Sequence, residues 1–445
     1  MQQVSILNGC VNYSLLLLLF LLPNSFAQLH NTQTKIMANT EGGNLAEFSQ
    51  RLVEFSNNLY GNLIALKPNT NVVFSPFSIQ TCAAMARLGA EGETAAQLDR
   101  GLGLVSSDPQ QIAESFHQVL AEYEKSSILR IANKIYVQQN YELNDDFNRL
   151  LSKQFLSAAE NVEFAQSVKA AGIINAWVEQ QTNKLIKDLV QPSLLDAQTR
   201  LVLINAIHFK GNWVHQFPEH ATRSERFHLN EVEGVEVPMM NVKERFRYAN
   251  LPELNAAALE LPYKDSDLSM LILLPNSKTG LPQLEQQLRG TPLSKITEQL
   301  QSNQVVVKLP KFKAEFQVEL TSVFKQLGMT RLFSNQAEFG KMLKSPEELK
   351  VSAIIHKAFI DVNELGTEAA AATAAVVRMK RSVISIEQPI QFHADHPFIF
   401  MLNHREQLPL FLGAVVRLDA AAATATATTN AASLTKRKCG RNSNK

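Results

Sequence analysis

Apolar residues recur at Leu45, Phe48, Leu52, Phe55 and Leu59, three or four apart, the spacing of a helix with one buried face. Asn69, Thr70 and Asn71 interrupt that pattern as a turn. Ser75-Pro76 then has the form of a helix N-cap followed by the first helical residue. The helix begun there carries Ile79, Cys82, Ala83 and Ala86 on its apolar side and stops near Gly89. Two further amphipathic helices are predicted over residues 143–156 and 173–190.

After residue 200 the period changes. Residues 201–209 form a nearly unbroken apolar run, as expected of a strand covered on both faces. Residues 268–274 repeat this and end at the turn signal Pro275-Asn276. Residues 305–312 and 351–362 also read as strands, and residues 398–402 and 410–416 as a pair joined by a polar turn. Helices first and strands later indicate an α+β domain with large sheets. There is no internal repeat and no Pro/Gly-rich linker between Leu45 and Asp419, so one domain over 45–419 is the simplest organisation.

Composition changes the picture only at the ends. The 445 residues are 45% hydrophobic and 19% charged, with a formal net charge of +1, which suits a globular chain and gives no overall field for nucleic acid. Residues 14–22 are apolar, followed by Pro23 and Ser25-Phe26-Ala27. Small residues at Ser25 and Ala27 fit a secretory signal peptide, 1–27, cut after Ala27, although no Lys or Arg precedes the apolar run. No later stretch is long and apolar enough for a membrane span, so no membrane association is expected. Beyond Asp419 the chain becomes Ala- and Thr-rich and ends in Lys436-Arg437-Lys438, a composition expected to stay disordered over 420–445. Of three cysteines, Cys10 would leave with the signal, and Cys82 and Cys439 make no disulfide framework. The mature region has no Asn-X-Ser/Thr site.

The chemistry concentrates in one segment. Gly366-Thr367-Glu368 is followed by Ala369 to Ala372, Thr373, Ala374, Ala375, Val376 and Val377, then by Arg378-Met379-Lys380-Arg381-Ser382. On composition alone this is an Ala-rich helix or a linker, since Ala is the best helix former. It nonetheless follows directly on the β-patterned run 351–362 and leads into a basic cluster of the kind proteases recognise. Along an extended chain Thr367, Ala369, Ala371, Thr373, Ala375 and Val377 share one face, all small or modest in size, and Glu368 falls on the other.

These residues carry a resemblance. Asn363-Glu364-Leu365-Gly366-Thr367-Glu368-Ala369-Ala370-Ala371-Ala372-Thr373 resembles the hinge of the serpins, a family of serine protease inhibitors. Phe392-His393-Ala394-Asp395-His396-Pro397-Phe398-Ile399-Phe400 resembles the family signature after the loop. Phe74-Ser75-Pro76-Phe77-Ser78, Asn205-Ala206-Ile207-His208-Phe209-Lys210-Gly211-Asn212-Trp213 and Leu410-Phe411-Leu412-Gly413 match further pieces in order. The resemblance implies a serpin fold of helices and large mixed sheets, with a reactive-centre loop over about 364–390. It implies a suicide substrate. The protease cuts the loop and is held as an acyl-enzyme while the loop enters the sheet as a new strand, a known case of strand addition and released strain. It also implies that Trp213 and His356 lie where the sheet opens. Leu365 departs from the family, which often has a polar residue there. The unobstructed inward face favours inhibition over a carrier or storage role, in which bulky or charged inward residues are expected.

Two rules place the cut one residue apart. Counting as in the commonest serpin loops, the residue before the cut is fourteen past Gly366, which is Lys380. Arg378-Met379-Lys380-Arg381 is instead an Arg-X-Lys-Arg motif of furin-like proprotein convertases, which read several cations with acidic subsites and cut after the last. That puts the reactive bond between Arg381 and Ser382, with Arg378, Lys380 and Arg381 as recognition residues. A trypsin-like protease needs one cation and accepts Lys380 or Arg381. A solvated basic patch, or a loop that is only a substrate, remains the plain alternative.

An enzyme is not indicated. Gly-X-Ser-X-Gly, His-Glu-X-X-His and Cys-X-X-Cys are all lacking, and Gly101-Leu102-Gly103 is a turn without the third glycine of a dinucleotide site. His356 is expected as a structural hydrogen-bonder, not a catalyst or metal ligand, and no cofactor or metal is expected. Residues 106–120 contain no Lys or Arg, so that segment is not expected to bind glycosaminoglycans. The closing Asn442-Ser443-Asn444-Lys445 is not a retention signal, so secretion to the extracellular space is expected, as a monomer.

Overall fold

The computed structural model describes residues 45–345, 347–367, 388–405 and 407–419. The expected signal peptide 1–27 and tail 420–445 lie outside the described residues. Residues 45–49 are helical. From Gln50 onward the chain forms a single unit. In chain order its first half contains α1 (residues 50–66), β1 (Val72–Phe74), α2 (Pro76–Leu88), α3 (Gly92–Leu102), α4 (Pro109–Tyr123), β2 (Leu129–Gln138), α5 (Asp145–Phe155), β3 (Ala159–Val162) and α6 (Ser167–Gln181). Then follow β4 (Leu201–Phe209), β5 (Arg223–His228), β6 (Gly234–Leu251), β7 (Ala256–Pro262), β8 (Leu268–Pro275), α7 (Leu281–Leu288) and α8 (Leu293–Thr297). The last are β9 (Gln301–Pro310), β10 (Phe312–Glu319), α9 (Thr321–Gln326), β11 (Val351–Val362), β12 (Ile390–His393), β13 (Phe398–His404) and β14 (Leu408–Val415).

The strands make two sheets, as an α+β fold requires. One runs β1-β14-β13-β8-β7-β6-β9-β12, with β5 paired to β6. The other has the order β10-β11-β4-β2-β3. In this five-stranded sheet β4 is antiparallel to β2 and parallel to β11, with Leu201 opposite Val351 and His208 opposite Phe359. Sequence explains the position of β4: all nine of its residues are buried, so both faces had to be apolar. On one face α6 lays Ile174 and Val178 against Val202, Ile204 and Ala206 of β4. Each of these Ile and Val side chains contributes about 1.5–3 kcal/mol through burial.

The other face of the sheet receives α2, every residue of which is buried. Ser75 caps it by accepting a hydrogen bond from the Ser78 amide at 3.0 Å, and Pro76 occupies the first turn, where its missing N–H costs nothing. Gly89 is the C-cap, as the pattern predicted.

Two predicted elements change. The helix expected over 173–190 begins earlier, at Ser167, and stops at Gln181. Thr182 turns its hydroxyl back onto the Val178 carbonyl, and Asn183, Lys184 and Asp188 adopt positive φ, which no helix tolerates. Leu185, Ile186, Leu189 and Val190 keep helical spacing, and Ile186, Leu189 and Val190 are buried as irregular chain in the same core as α6. The strand expected over 305–312 is two strands, because the chain breaks at Lys311, whose amide bonds to the Pro238 carbonyl instead of a neighbouring ladder.

Removing the cap on α2 tests how far this helix organises the core. Ser75→Ala should lose about 1 kcal/mol, seen as a lower thermal midpoint.

Candidate functional site

β4 and β11 are parallel, so both finish at the same end of the sheet. There β11 turns back on itself. The Asn363 amide donates to the Gly366 carbonyl at 2.8 Å, and the Gly366 amide to the Asn363 carbonyl at 3.2 Å. The reversed chain lies between Val362 and the segment beyond β4: Gly366 bridges to Asn212 and Thr367 to Val362, both antiparallel. The Thr367 amide donates to the Gly211 carbonyl at 2.6 Å. Thr367, fully buried, is thus seated between β11 and the continuation of β4.

Gly366 is required by this approach. Its φ is +153°, and a Cβ there would stand 2.0 Å from the Gly211 carbonyl oxygen and 2.6 Å from the Asn212 Cα. Both obstacles are backbone and cannot swing aside.

Aromatic side chains wall the turn. Trp213 stacks on Tyr263 with centroids 4.3 Å apart at 21°. The Trp213 Nε1–H donates to the Asn363 carbonyl at 3.0 Å and its backbone amide to the Leu365 carbonyl at 2.9 Å. Tyr263 Oη shares a hydrogen bond with Thr367 Oγ1 at 2.9 Å, and burial drives the Tyr263 phenol far above its ordinary pKa, so it stays protonated.

Glu364 anchors the turn from the other side. Its carboxylate accepts from Thr222 Oγ1 at 2.9 Å and pairs with Lys311 Nζ at 2.8 Å. Burial works to raise the Glu364 pKa, but the Lys311 and Thr222 hydrogen bonds and its own amide outweigh it, and the carboxyl sits below the ordinary value.

His356 lies elsewhere. It is six residues before Val362, roughly 20 Å down β11 at about 3.3 Å per residue. It is fully buried, and desolvation lowers its pKa to about 3. The neutral ring bridges two elements: Nδ1 bonds Asn205 Oδ1 of β4, and Nε2 accepts from the Ser75 amide at the head of α2, at 3.4 Å. Asn205 Nδ2 donates in turn to Ser78 Oγ at 2.5 Å and to Asn133 Oδ1 of β2. A buried polar network therefore crosses β11, β4 and β2 beneath the N-terminus of α2. Of the two residues expected at the opening of the sheet, Trp213 meets the turn beyond the seam of β4 and β11, and His356 lies on that seam farther down, opposite Asn205.

The described chain resumes at Gln388. β12 pairs parallel with β9, from Ile390 opposite Val305 to His393 opposite Lys308. Lys308 Nζ pairs with Glu225 at 2.8 Å, and His393 Nε2 approaches the same carboxylate at 3.2 Å. His396 bonds Asp395 through Nδ1 and the Pro275 carbonyl through Nε2, both at 2.7 Å. Both ends of the intervening segment are therefore tied to sheets. The remaining hinge candidates, Glu368, Ala369, Ala370, Ala371, Ala372 and Thr373, lie outside the described residues, as do Arg378, Lys380, Arg381 and Ser382.

Pattern reading missed Tyr263, Lys311, Thr222 and Asn133. Each reaches the site from a distant strand or loop, and nothing in its neighbourhood marks it as functional.

The chain is similar to known proteins over nearly all of this unit. A family profile described as "Serpin (serine protease inhibitor)" matches residues 50–418. Alaserpin of Manduca sexta is 38% identical over 365 residues, covering 82% of this chain and 92% of that protein. The solved structure "Cleaved Serpin 42Da" is 66% identical, with a TM-score of 0.77, over 84% of this chain and 99% of its own. The structure of Serpin48, a highly specific serpin in the insect Tenebrio molitor, is 35% identical with a TM-score of 0.77, over 84% and 98%.

The depressed pKa of Glu364 has a sign that can be checked. Its carboxylate favours the anchored hinge above the ordinary glutamate pKa, about 4.3, and this contribution disappears as pH falls through the lower folded value. Exchange of the Thr367 amide, corrected for intrinsic rate, should accelerate in that acid range. In Glu364→Gln it should already be about tenfold faster at neutral pH and show no such step.

Proposed function

The chain belongs to the serpin family, and on that premise we propose that it is a secreted suicide-substrate inhibitor of a furin-like proprotein convertase, cut between Arg381 and Ser382. Its family and its relatives are those of serine protease inhibitors. The observation that supports the mechanism is the seat of Thr367. A chain continuing from Thr367 in the same direction would run along the seam between β11 and β4, antiparallel to both. It would replace one parallel pairing by two antiparallel ladders, which are slightly more stable per residue.

In this reading the protease serine attacks the Arg381 carbonyl, the amine of Ser382 leaves, and an ester joins Arg381 to the enzyme. Release of Ser382 frees Thr367 to lead the following residues into the seam. Thr367, Ala369, Ala371, Thr373, Ala375 and Val377 face the interior and fit it because they are small. The segment from Arg378 to Arg381 draws the target, whose acidic subsites take Arg378, Lys380 and Arg381 as charge-assisted partners. Residues 1–27 direct the chain into the secretory pathway, where a convertase inhibitor meets its target, and residues 45–419 do the inhibiting. That a 66% identical chain has been solved in cleaved form supports a loop that proteases cut.

A second reading rests on register. Lys380 stands fourteen residues past Gly366, the usual serpin count, and suits a trypsin-like protease.

Incubation with furin and with trypsin, followed by a denaturing gel, separates these readings. Convertase inhibition yields a stable high-mass adduct with furin and a released peptide beginning at Ser382. Arg378→Ala should slow adduct formation with furin at least about tenfold and leave trypsin unaffected. A peptide beginning at Arg381 supports the trypsin-like register. Clean cleavage without adduct would refute inhibition and leave a carrier, a storage protein or a mere substrate.

A further inference from the structure

A cavity at the outer edge of β2 plays no part in the hinge. β3 pairs with β2 only from Ile135 to Gln138, so among the described residues no strand covers that edge from Leu129 to Asn133. The cavity there has a volume of about 240 Å³. Its walls include Tyr123 of α4, Phe155 and Leu156 at the end of α5, and Trp177 of α6. This is somewhat below the size that encloses a drug-sized ligand and suits a smaller one.

Arg130 of β2 lines the cavity, and its Nε is closed off from solvent without a hydrogen-bond partner. Among the described residues the guanidinium enters no ion pair. A buried cationic N–H left unpaired is destabilising, and a guanidinium presents a planar fork whose best match is a carboxylate. Lys134 stands four residues on, on the same face of β2, with its Nζ 4.9 Å from the centroid of the Trp177 ring and bonded to Glu160. Lys134 thus holds a cation against the same indole that lines the cavity. The other polar groups are accounted for: Ser157 Oγ is engaged by the Asn133 carbonyl, and Glu124 and Gln181 are exposed at the rim.

We propose that this cavity binds a small aromatic carboxylate, with its carboxylate on Arg130 and its ring against Trp177. Charge selects the anion, and the walls of Tyr123, Phe155, Leu156 and Trp177 select a flat apolar body. The site is separate from the bait loop and does not depend on how that loop is read.

Calorimetric titration of the full chain with 2-naphthoate, and with the neutral 2-naphthalenemethanol, tests this. Naphthoate should bind saturably with one site per chain, and the alcohol at least about tenfold more weakly. Arg130→Gln should weaken naphthoate at least tenfold and leave the alcohol unchanged. Arg130→Lys, which keeps the charge and loses the fork, should fall between, and it provides the reading if the glutamine variant does not fold. No saturable heat from naphthoate would overturn the proposal. So would equal affinity in the Arg130 variants, or equal affinity for the acid and the alcohol.

Discussion

The pairing of β11 with β4 is the constraint around which the rest is arranged. Two parallel strands with slanted hydrogen bonds sit inside the five-stranded sheet, where α2 covers one face of β4 and α6 the other. Both strands end at the same place, and the chain leaving β11 folds back into the space between them by one residue. Everything at that end serves to hold the reversal: Gly366 allows the backbone approach, Trp213 and Tyr263 wall it, and Glu364 fastens it to Lys311 and Thr222. The reversal at the end of the β4–β11 seam is thus held by backbone approach, stacked rings and a paired carboxylate together.

The network beneath α2 acts on the same pairing from the middle of the strands. His356 ties β11 to β4 through Asn205 and to the helix through Ser75, and Asn205 extends the tie to β2 through Asn133. These are hydrogen bonds among buried neutral groups. Each is stronger in a low-dielectric interior than at a surface, and each would leave an unsatisfied atom if broken singly. Parting β4 from β11 has to break the His356–Asn205 contact, so the network sets part of the cost of separating the two strands.

Much of this was legible along the chain. Residues 201–209 announced a doubly covered strand because burial on both faces leaves no room for alternation. Ser75-Pro76 announced α2 because cap chemistry is local. The turn from Asn363 to Thr367 falls where the family pattern begins. What pattern reading lost depended on contacts between distant residues. Lys311 reads as one more residue of a single strand over 305–312, and only the fold shows it breaking that strand as the counter-ion of Glu364. Residues 185–190 keep a helical spacing of apolar side chains, yet positive φ at Asn183, Lys184 and Asp188 takes them into the core without a helix. His356 was grouped with Trp213 by family analogy, and distance along β11 separates them.

The depressed pKa of His356 has a bearing on where such a protein can operate. Histidine ordinarily changes charge between pH 5 and 8, and many proteins use that change to rearrange as their surroundings acidify. With a pKa of about 3, the imidazole at the centre of this sheet is neutral throughout that range. Acidification anywhere within that range leaves this tie between β11, β4 and α2 in one protonation state.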